Sequence, residues 1–191
     1  MKVKKWLTIP NLLSAFRILL VPAFIVSYLY MDSGESFAFW PVIILLVSGI
    51  TDLFDGMIAR RFNQVSDLGK MLDPVADKLT QISVLVCLTI RFREMWALWL
   101  LLILYVVKEF SIMVGGLVML KGKRQEVPQA KWFGKLSTFE FYTAMLLLLA
   151  FPQMPEWLIS VFALLTAALA IFSLIMYVIA FFGKKSEQET R

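Results

Sequence analysis

Apolar residues run along the chain in six blocks, at 11–30, 39–61, 70–91, 95–119, 133–151 and 155–182. A helix needs about 20 residues to cross the hydrocarbon of a bilayer. Each block is therefore expected to form one transmembrane helix. The fourth is apolar except for Lys108, Glu109 and Ser111. The sixth is long enough to tilt or to extend past the interface. No internal repeat or low-complexity linker divides the blocks. The pattern predicts an all-α integral membrane protein, one domain over 1–191, with six spans.

Polar positions orient the spans. Lys2, Lys4 and Lys5 precede the first block, and Arg60, Arg61 and Lys70 lie around the second connection. Lys121, Lys123, Arg124 and Lys131 fill the fourth connection, and Lys184, Lys185 and Arg191 close the chain. The other side carries only Arg91 and Arg93, with Asp32, Glu35, Glu94 and Glu156. The positive-inside rule then predicts both termini in the cytoplasm. Residues 2–6 suggest a short interfacial helix before Pro10. Arg17 interrupts the first apolar run, which favours a retained span over a cleaved signal peptide.

Composition agrees with a lipid environment. Hydrophobic residues make up 60% of the chain and mean hydropathy is +0.77, against about 45–50% apolar in soluble domains. The net charge of +5 sits beside apolar blocks. That placement points to anionic membrane surface and phosphate-bearing substrates, not to nucleic acid. The chain has no histidine and one cysteine, Cys87. An intrachain disulfide and a multi-cysteine metal site are excluded. Acid–base and metal chemistry must fall to carboxylates, lysines, tyrosines or the single cysteine.

Charges inside spans are costly and mark function by default. Asp52 and Asp55 are three apart, and Asp73 and Asp77 four apart, so each pair shares a helical face. If the second and third helices are neighbours, the four acids converge in a polar cavity open to the cytoplasm. Arg60 and Lys78 offset part of their charge. A hard divalent cation offsets more, through oxygen ligands. Without histidine, Mg²⁺ or Mn²⁺ is favoured over zinc, and two ions are plausible. Gly56 costs about 1 kcal/mol inside a helix relative to alanine, which suits close approach of a ligand. Ala59 and Gly69 are also small, and Arg60 offers a phosphate-binding fork. Helix–helix packing explains the small residues equally well. A buried ion-pair network or a divalent-cation transporter would explain the acids alone.

The pattern Asp52-x2-Asp55-Gly56-x2-Ala59-Arg60-x8-Gly69-x3-Asp73-x3-Asp77 resembles the signature of the CDP-alcohol phosphatidyltransferases, with all eight positions matched. The six-span layout fits the same family, so the resemblance covers essentially the whole chain. It implies that Asp52, Asp55 and Asp73 hold two metal ions, with Asp77 completing the cluster. It implies that Gly56, Ala59, Arg60 and Gly69 contact the CDP portion of CDP-diacylglycerol, alongside Asn11, Asp52 and Asp55. Asp77 would also act as general base on the acceptor hydroxyl, whose oxygen attacks the lipid-linked phosphorus as CMP leaves. A homodimer in the bacterial inner membrane, with the active site facing the cytoplasm, is implied as well.

Pro10, Asn11 and Arg17 resemble the opening of bacterial phosphatidylglycerophosphate synthases and of CDP-diacylglycerol-dependent cardiolipin synthases. Arg17 either snorkels to the interface or binds an anion in the substrate cavity. The glycerophosphate-using enzymes typically carry Arg-Glu-Phe where this chain has Lys108-Glu109-Phe110, and a second arginine where it has Gly116. Their Gly-Lys-x-Lys-Thr becomes Gly134-Lys135-Leu136-Ser137-Thr138. Lysine does not reproduce the two-pronged grip of arginine. Arg17, Lys108, Lys131 and Lys135 are the candidate contacts for an acceptor phosphate. Lys108 and Glu109 could equally form a structural ion pair within the membrane. The expected reaction is phosphatidyl transfer from CDP-diacylglycerol to glycerol 3-phosphate. Phosphatidylglycerol is the alternative acceptor, ahead of inositol phosphate or serine.

Overall fold

The computed structural model describes residues 8–31, 38–61, 67–121 and 132–189. Within the helices, the side chains of 9–10, 53, 55–61, 67–71, 116–121, 132–133, 135 and 180–189 lie outside that description. All regular structure among the described residues is helical. The elements are α1 (Ile9–Leu29), α2 (Phe39–Arg61), α3 (Asp67–Arg91), α4 (Trp96–Lys121), α5 (Trp132–Ala150) and α6 (Glu156–Glu189). They coincide with the six apolar blocks, and α3 and α6 run further into polar sequence. The expected interfacial helix over 2–6 lies outside the described residues.

Local chemistry sets several of these boundaries. Pro10 stands in the first turn of α1, where its missing N–H costs nothing. Pro155 precedes α6, and its carbonyl accepts from the backbone N–H of Leu158 (2.9 Å) and Ile159 (3.2 Å). Hydroxyls inside the helices turn back to the carbonyl four residues earlier. Thr80 bonds Ala76, Thr89 bonds Leu85, Ser111 bonds Val107 and Thr143 bonds Phe139. That habit satisfies a hydroxyl within its own helix where no water is at hand.

Among the described residues three segments are long and apolar enough to cross a membrane: Asn11–Leu29, Trp96–Gly115 and Glu156–Ile179. Phe39–Asp52 and Leu136–Ala150 are shorter apolar stretches. The expectation of six spans is thus met in helix number, and in length and composition for three of them. In α3 the first turns carry Asp67, Lys70, Asp73, Asp77 and Lys78, which dilute its apolar character. Every helix nevertheless presents large apolar side chains outward. Leu19, Ile50, Leu79, Ile103, Phe139 and Ile179 are all exposed. Exposed apolar surface on this scale marks a membrane or interaction surface.

The chain divides into two compact units. The first is Met1–Arg91 with Leu146–Met154, and the second is Phe92–Met145 with Pro155–Arg191. In the first, α1 packs against both α2 and α3. Phe24, Tyr28, Val42, Leu45, Val84 and Leu88 are buried there. The backbone N–H of Ala38 bonds the Ala150 carbonyl at 3.3 Å. Arg91 lies 5.7 Å over the Tyr28 ring at the far end of this unit's helices. In the second unit α4 packs on α6. Tyr105 of α4 stacks on Phe141 of α5 with centroids 4.5 Å apart. Thr166 of α6 donates to Glu140 Oε1 of α5 at 2.9 Å.

Candidate functional site

The site is built on one face of α1. Asn11, Ser14 and Arg17 recur every third residue, so they line up along the helix. All three are buried, a polar stripe in an otherwise apolar helix. Further along, Phe24 and Tyr28 are buried as well. The face therefore changes from polar to apolar with distance from the N-terminus.

This stripe meets the acids of α2 and α3. The Arg17 guanidinium donates through Nη1 to Asp52 Oδ1. Its Nη2 lies 3.6 Å from Asp73 Oδ1. The Ser14 hydroxyl donates to the same Asp73 oxygen. One buried cation thus joins a carboxylate of α2 to a carboxylate of α3. Convergence was expected from adjacency of α2 and α3. The described contacts show that α1 provides the link, packing on both helices.

The arrangement has an inner and an outer side. The Arg17 side chain is 2% exposed, while those of Asp52 and Asp73 are 48% and 39% exposed. The cation sits beneath the acids and the acids open outward. Asp77, one turn along α3 from Asp73, is held differently. Gln81 Nε2 donates to both its oxygens, at 3.1 and 3.2 Å. Lys78 Nζ lies 3.6 Å from Asp77 Oδ2 and donates to Gln81 Oε1 at 3.2 Å. Beside this polar end, Leu20, Phe24, Leu45, Ser48 and Thr80 line a small pocket among α1, α2 and α3.

Oxygen donors of this kind suit a hard divalent cation better than a soft one. Among the described residues no three acidic, histidine or cysteine side chains form a ready-made metal shell. The Asp55 carboxylate, the fourth acid of the pattern, lies outside the described side chains. So do the side chains of Ala59, Arg60 and Lys135 and the surroundings of Gly56 and Gly69, while Lys131 lies outside the described residues altogether.

Lys108 belongs to the second unit. It is buried, with Nζ 3.1 Å from Glu109 Oε1 and 5.3 Å from the centre of the Tyr105 ring. Gly134 of α5 faces Tyr177 of α6, whose hydroxyl oxygen lies 2.6 Å from where a Cβ would stand. A packing role for this glycine follows directly. Ser14 and Gln81 were not anticipated as site residues. Their signals are local: Ser14 is one turn before Arg17, and Gln81 one turn after Asp77.

Comparison with known proteins identifies the family. The family model for CDP-alcohol phosphatidyltransferases matches residues 7–182. A cardiolipin synthase (CMP-forming) of Streptomyces coelicolor is 40% identical over 144 residues, covering 75% of this chain and 65% of that protein. The chain therefore spans just under two thirds of that relative's length. A CDP-diacylglycerol–glycerol-3-phosphate 3-phosphatidyltransferase of Blochmanniella floridana is 30% identical over 181 residues, 89% of this chain and 88% of that protein. A protein of the same name from Shigella flexneri is 32% identical over 174 residues, 90% and 93% of the two chains. The matched span contains all six apolar blocks and all eight positions from Asp52 to Asp77, and the chain belongs to the CDP-alcohol phosphatidyltransferase family.

Proposed function

We propose that this protein transfers the phosphatidyl group of CDP-diacylglycerol to glycerol 3-phosphate, forming phosphatidylglycerophosphate and releasing CMP. The observation that carries the reading is the joining of Asp52 and Asp73 across α1, α2 and α3, within the eight-position pattern. In this reading Asp52, Asp55, Asp73 and Asp77 hold one or two Mg²⁺ or Mn²⁺ ions. When bound, such ions neutralise the pyrophosphate and stabilise the leaving phosphate.

The chain's own residues do the rest. Asn11, Gly56, Ala59, Arg60 and Gly69 receive the CDP portion, the small residues allowing close approach and Arg60 gripping phosphate. Asp77 takes the proton of the acceptor hydroxyl onto a carboxylate oxygen. The freed oxygen forms a bond to the lipid-linked phosphorus. The bond from that phosphorus to the bridging oxygen breaks, and CMP leaves with the electron pair. Gln81 and Lys78 fix the Asp77 carboxylate for this role. Of the four candidate cations, Arg17 is held by Asp52 and Asp73 and Lys108 by Glu109; in this reading the acceptor phosphate is received chiefly by Lys108, Lys131 and Lys135.

A second reading has phosphatidylglycerol as acceptor and cardiolipin as product. It is favoured by the sparse cations: Lys108 in place of arginine, Gly116 in place of a second arginine and Ser137 in place of lysine. A phosphodiester with one negative charge asks for fewer cations than a terminal phosphate. The Streptomyces relative also bears the name cardiolipin synthase.

The protein is further read as a homodimer with six spans, in the bacterial inner membrane. Both termini and the acids then face the cytoplasm, as the lysine and arginine distribution favours. One experiment tests the function. Purified protein receives CDP-diacylglycerol, Mg²⁺ and, in parallel, glycerol 3-phosphate, phosphatidylglycerol, inositol phosphate or serine. CMP release with phosphatidylglycerophosphate as the lipid product supports the first reading. Cardiolipin as the only product supports the second, and no CMP release with any acceptor refutes both.

A further inference from the structure

Arg17 is an unusual neighbour for a metal site. Arginine is always charged, so it repels an incoming cation. It is also buried beneath the carboxylates instead of lying over them. Asp52 and Asp73 come from helices that each pack on α1. Without a positive charge between them, these carboxylates repel each other. The guanidinium spans both, and Ser14 adds a hydroxyl donor to Asp73. The stem of Arg17 is enclosed by packed helices, so the cation has little room to leave. The outer, exposed sides of the acids stay open to solution.

We propose that Arg17 is a resident counter-cation: it holds the acids together when no divalent ion is bound and, by staying in place, weakens the ion's binding. This inference rests on the reading of Asp52 and Asp73 as metal ligands. It makes Arg17 a positioning residue that acts through those two carboxylates. Two effects follow from charge alone. Removing the guanidinium leaves the metal-free acids uncompensated, which lowers stability. It also removes a repulsion felt by the ion, which tightens metal binding. Both effects widen the gap between metal-free and metal-bound protein.

The test uses the full chain in lipid nanodiscs, stripped with EDTA and titrated with Mn²⁺. Binding is read by calorimetry and stability by thermal unfolding. Arg17→Gln and Arg17→Met should bind Mn²⁺ at least about fivefold more tightly than the native chain. Both should unfold at lower temperature in EDTA and gain more degrees on adding Mn²⁺. A neutral variant that folds only when Mn²⁺ is present is the extreme form of the same result. Arg17→Lys keeps the charge and should bind Mn²⁺ within about twofold of native. Two neutral replacements of different polarity guard against one failing to fold for reasons of packing. Mn²⁺ affinity in the neutral variants equal to or weaker than native overturns the proposal, as does equal tightening by Arg17→Lys. A native chain that binds no Mn²⁺ refutes instead the metal reading beneath it.

Discussion

Gln81 holds Asp77 by both carboxylate oxygens, its Nε2 lying 3.1 Å from one and 3.2 Å from the other. The two residues are one helical turn apart, so the backbone of α3 fixes their spacing. A general base must present a set oxygen to the acceptor hydroxyl, and a side-chain amide on its flank limits its rotation. Gln81→Leu removes the donor at similar volume. Turnover is expected to fall about 10- to 100-fold, the usual cost of losing such a supporting contact. KM for CDP-diacylglycerol should change little, because Gln81 does not belong to the CDP-contacting set. Asp77→Asn should abolish turnover while CDP-lipid binding largely survives. CMP-release kinetics and CDP-lipid binding measure the two effects, and normal turnover by Asp77→Asn contradicts its role as base.

Gly134 lies against the far end of the Tyr177 side chain on α6. A Cβ at this position would stand 2.6 Å from the Tyr177 hydroxyl oxygen and 3.3 Å from the ring carbon that bears it. Gly134→Ala must push the ring aside or part the helices, at a cost of about 1–3 kcal/mol. Removing the hydroxyl relieves the closest clash. The double variant Gly134→Ala with Tyr177→Phe should therefore be more stable than Gly134→Ala alone. Thermal unfolding in detergent compares the two.

A polar contact joins α5 to α6. Thr166 donates to Glu140 Oε1 at 2.9 Å, and Glu140 Oε2 is buried with no hydrogen-bond partner among the described residues. A half-buried carboxylate with one enclosed oxygen unmet is a weak point. Thr166→Val removes the donor and should destabilise the protein by about 1–3 kcal/mol. Glu140→Gln keeps an acceptor for Thr166 and sheds the charge, so it should be neutral or stabilising. A large loss of stability in Glu140→Gln would show that the ionised form has another partner.

The helices were legible in the sequence because lipid leaves the backbone no choice. Each block must bond its own N–H and C=O groups, so apolar length translates directly into helix. The sides of the helices were less legible. Leu19 is exposed and Phe24 is buried, yet both are apolar, since lipid and protein core make the same demand. Asn11 and Arg17 stood out in the sequence, but Ser14 did not. Neither did the partners of this stripe, because Asp52 lies 35 residues from Arg17 and Asp73 lies 59 from Ser14. The acids were placed together by their helical spacing and the expected adjacency of α2 and α3, but the role of α1 in joining them emerges only in the folded structure.

Lys108 separates a structural charge from a functional one. Its Nζ lies 3.1 Å from Glu109 Oε1, with the two side chains 6% and 16% exposed. Breaking such a pair strands one charge, at a cost of about 3–5 kcal/mol. Lys108→Met should therefore lower the unfolding temperature whatever the lysine does for catalysis. Adding Glu109→Gln removes the stranded charge, and most of the stability should return. Activity should not follow if Lys108 meets the acceptor phosphate. In the double variant KM for glycerol 3-phosphate should stay raised, while CDP-diacylglycerol binding stays near native. If KM recovers together with stability, the pair is purely structural. The acceptor phosphate must then be met by Lys131 or Lys135, and alanine replacements at those two positions would carry the raised KM instead.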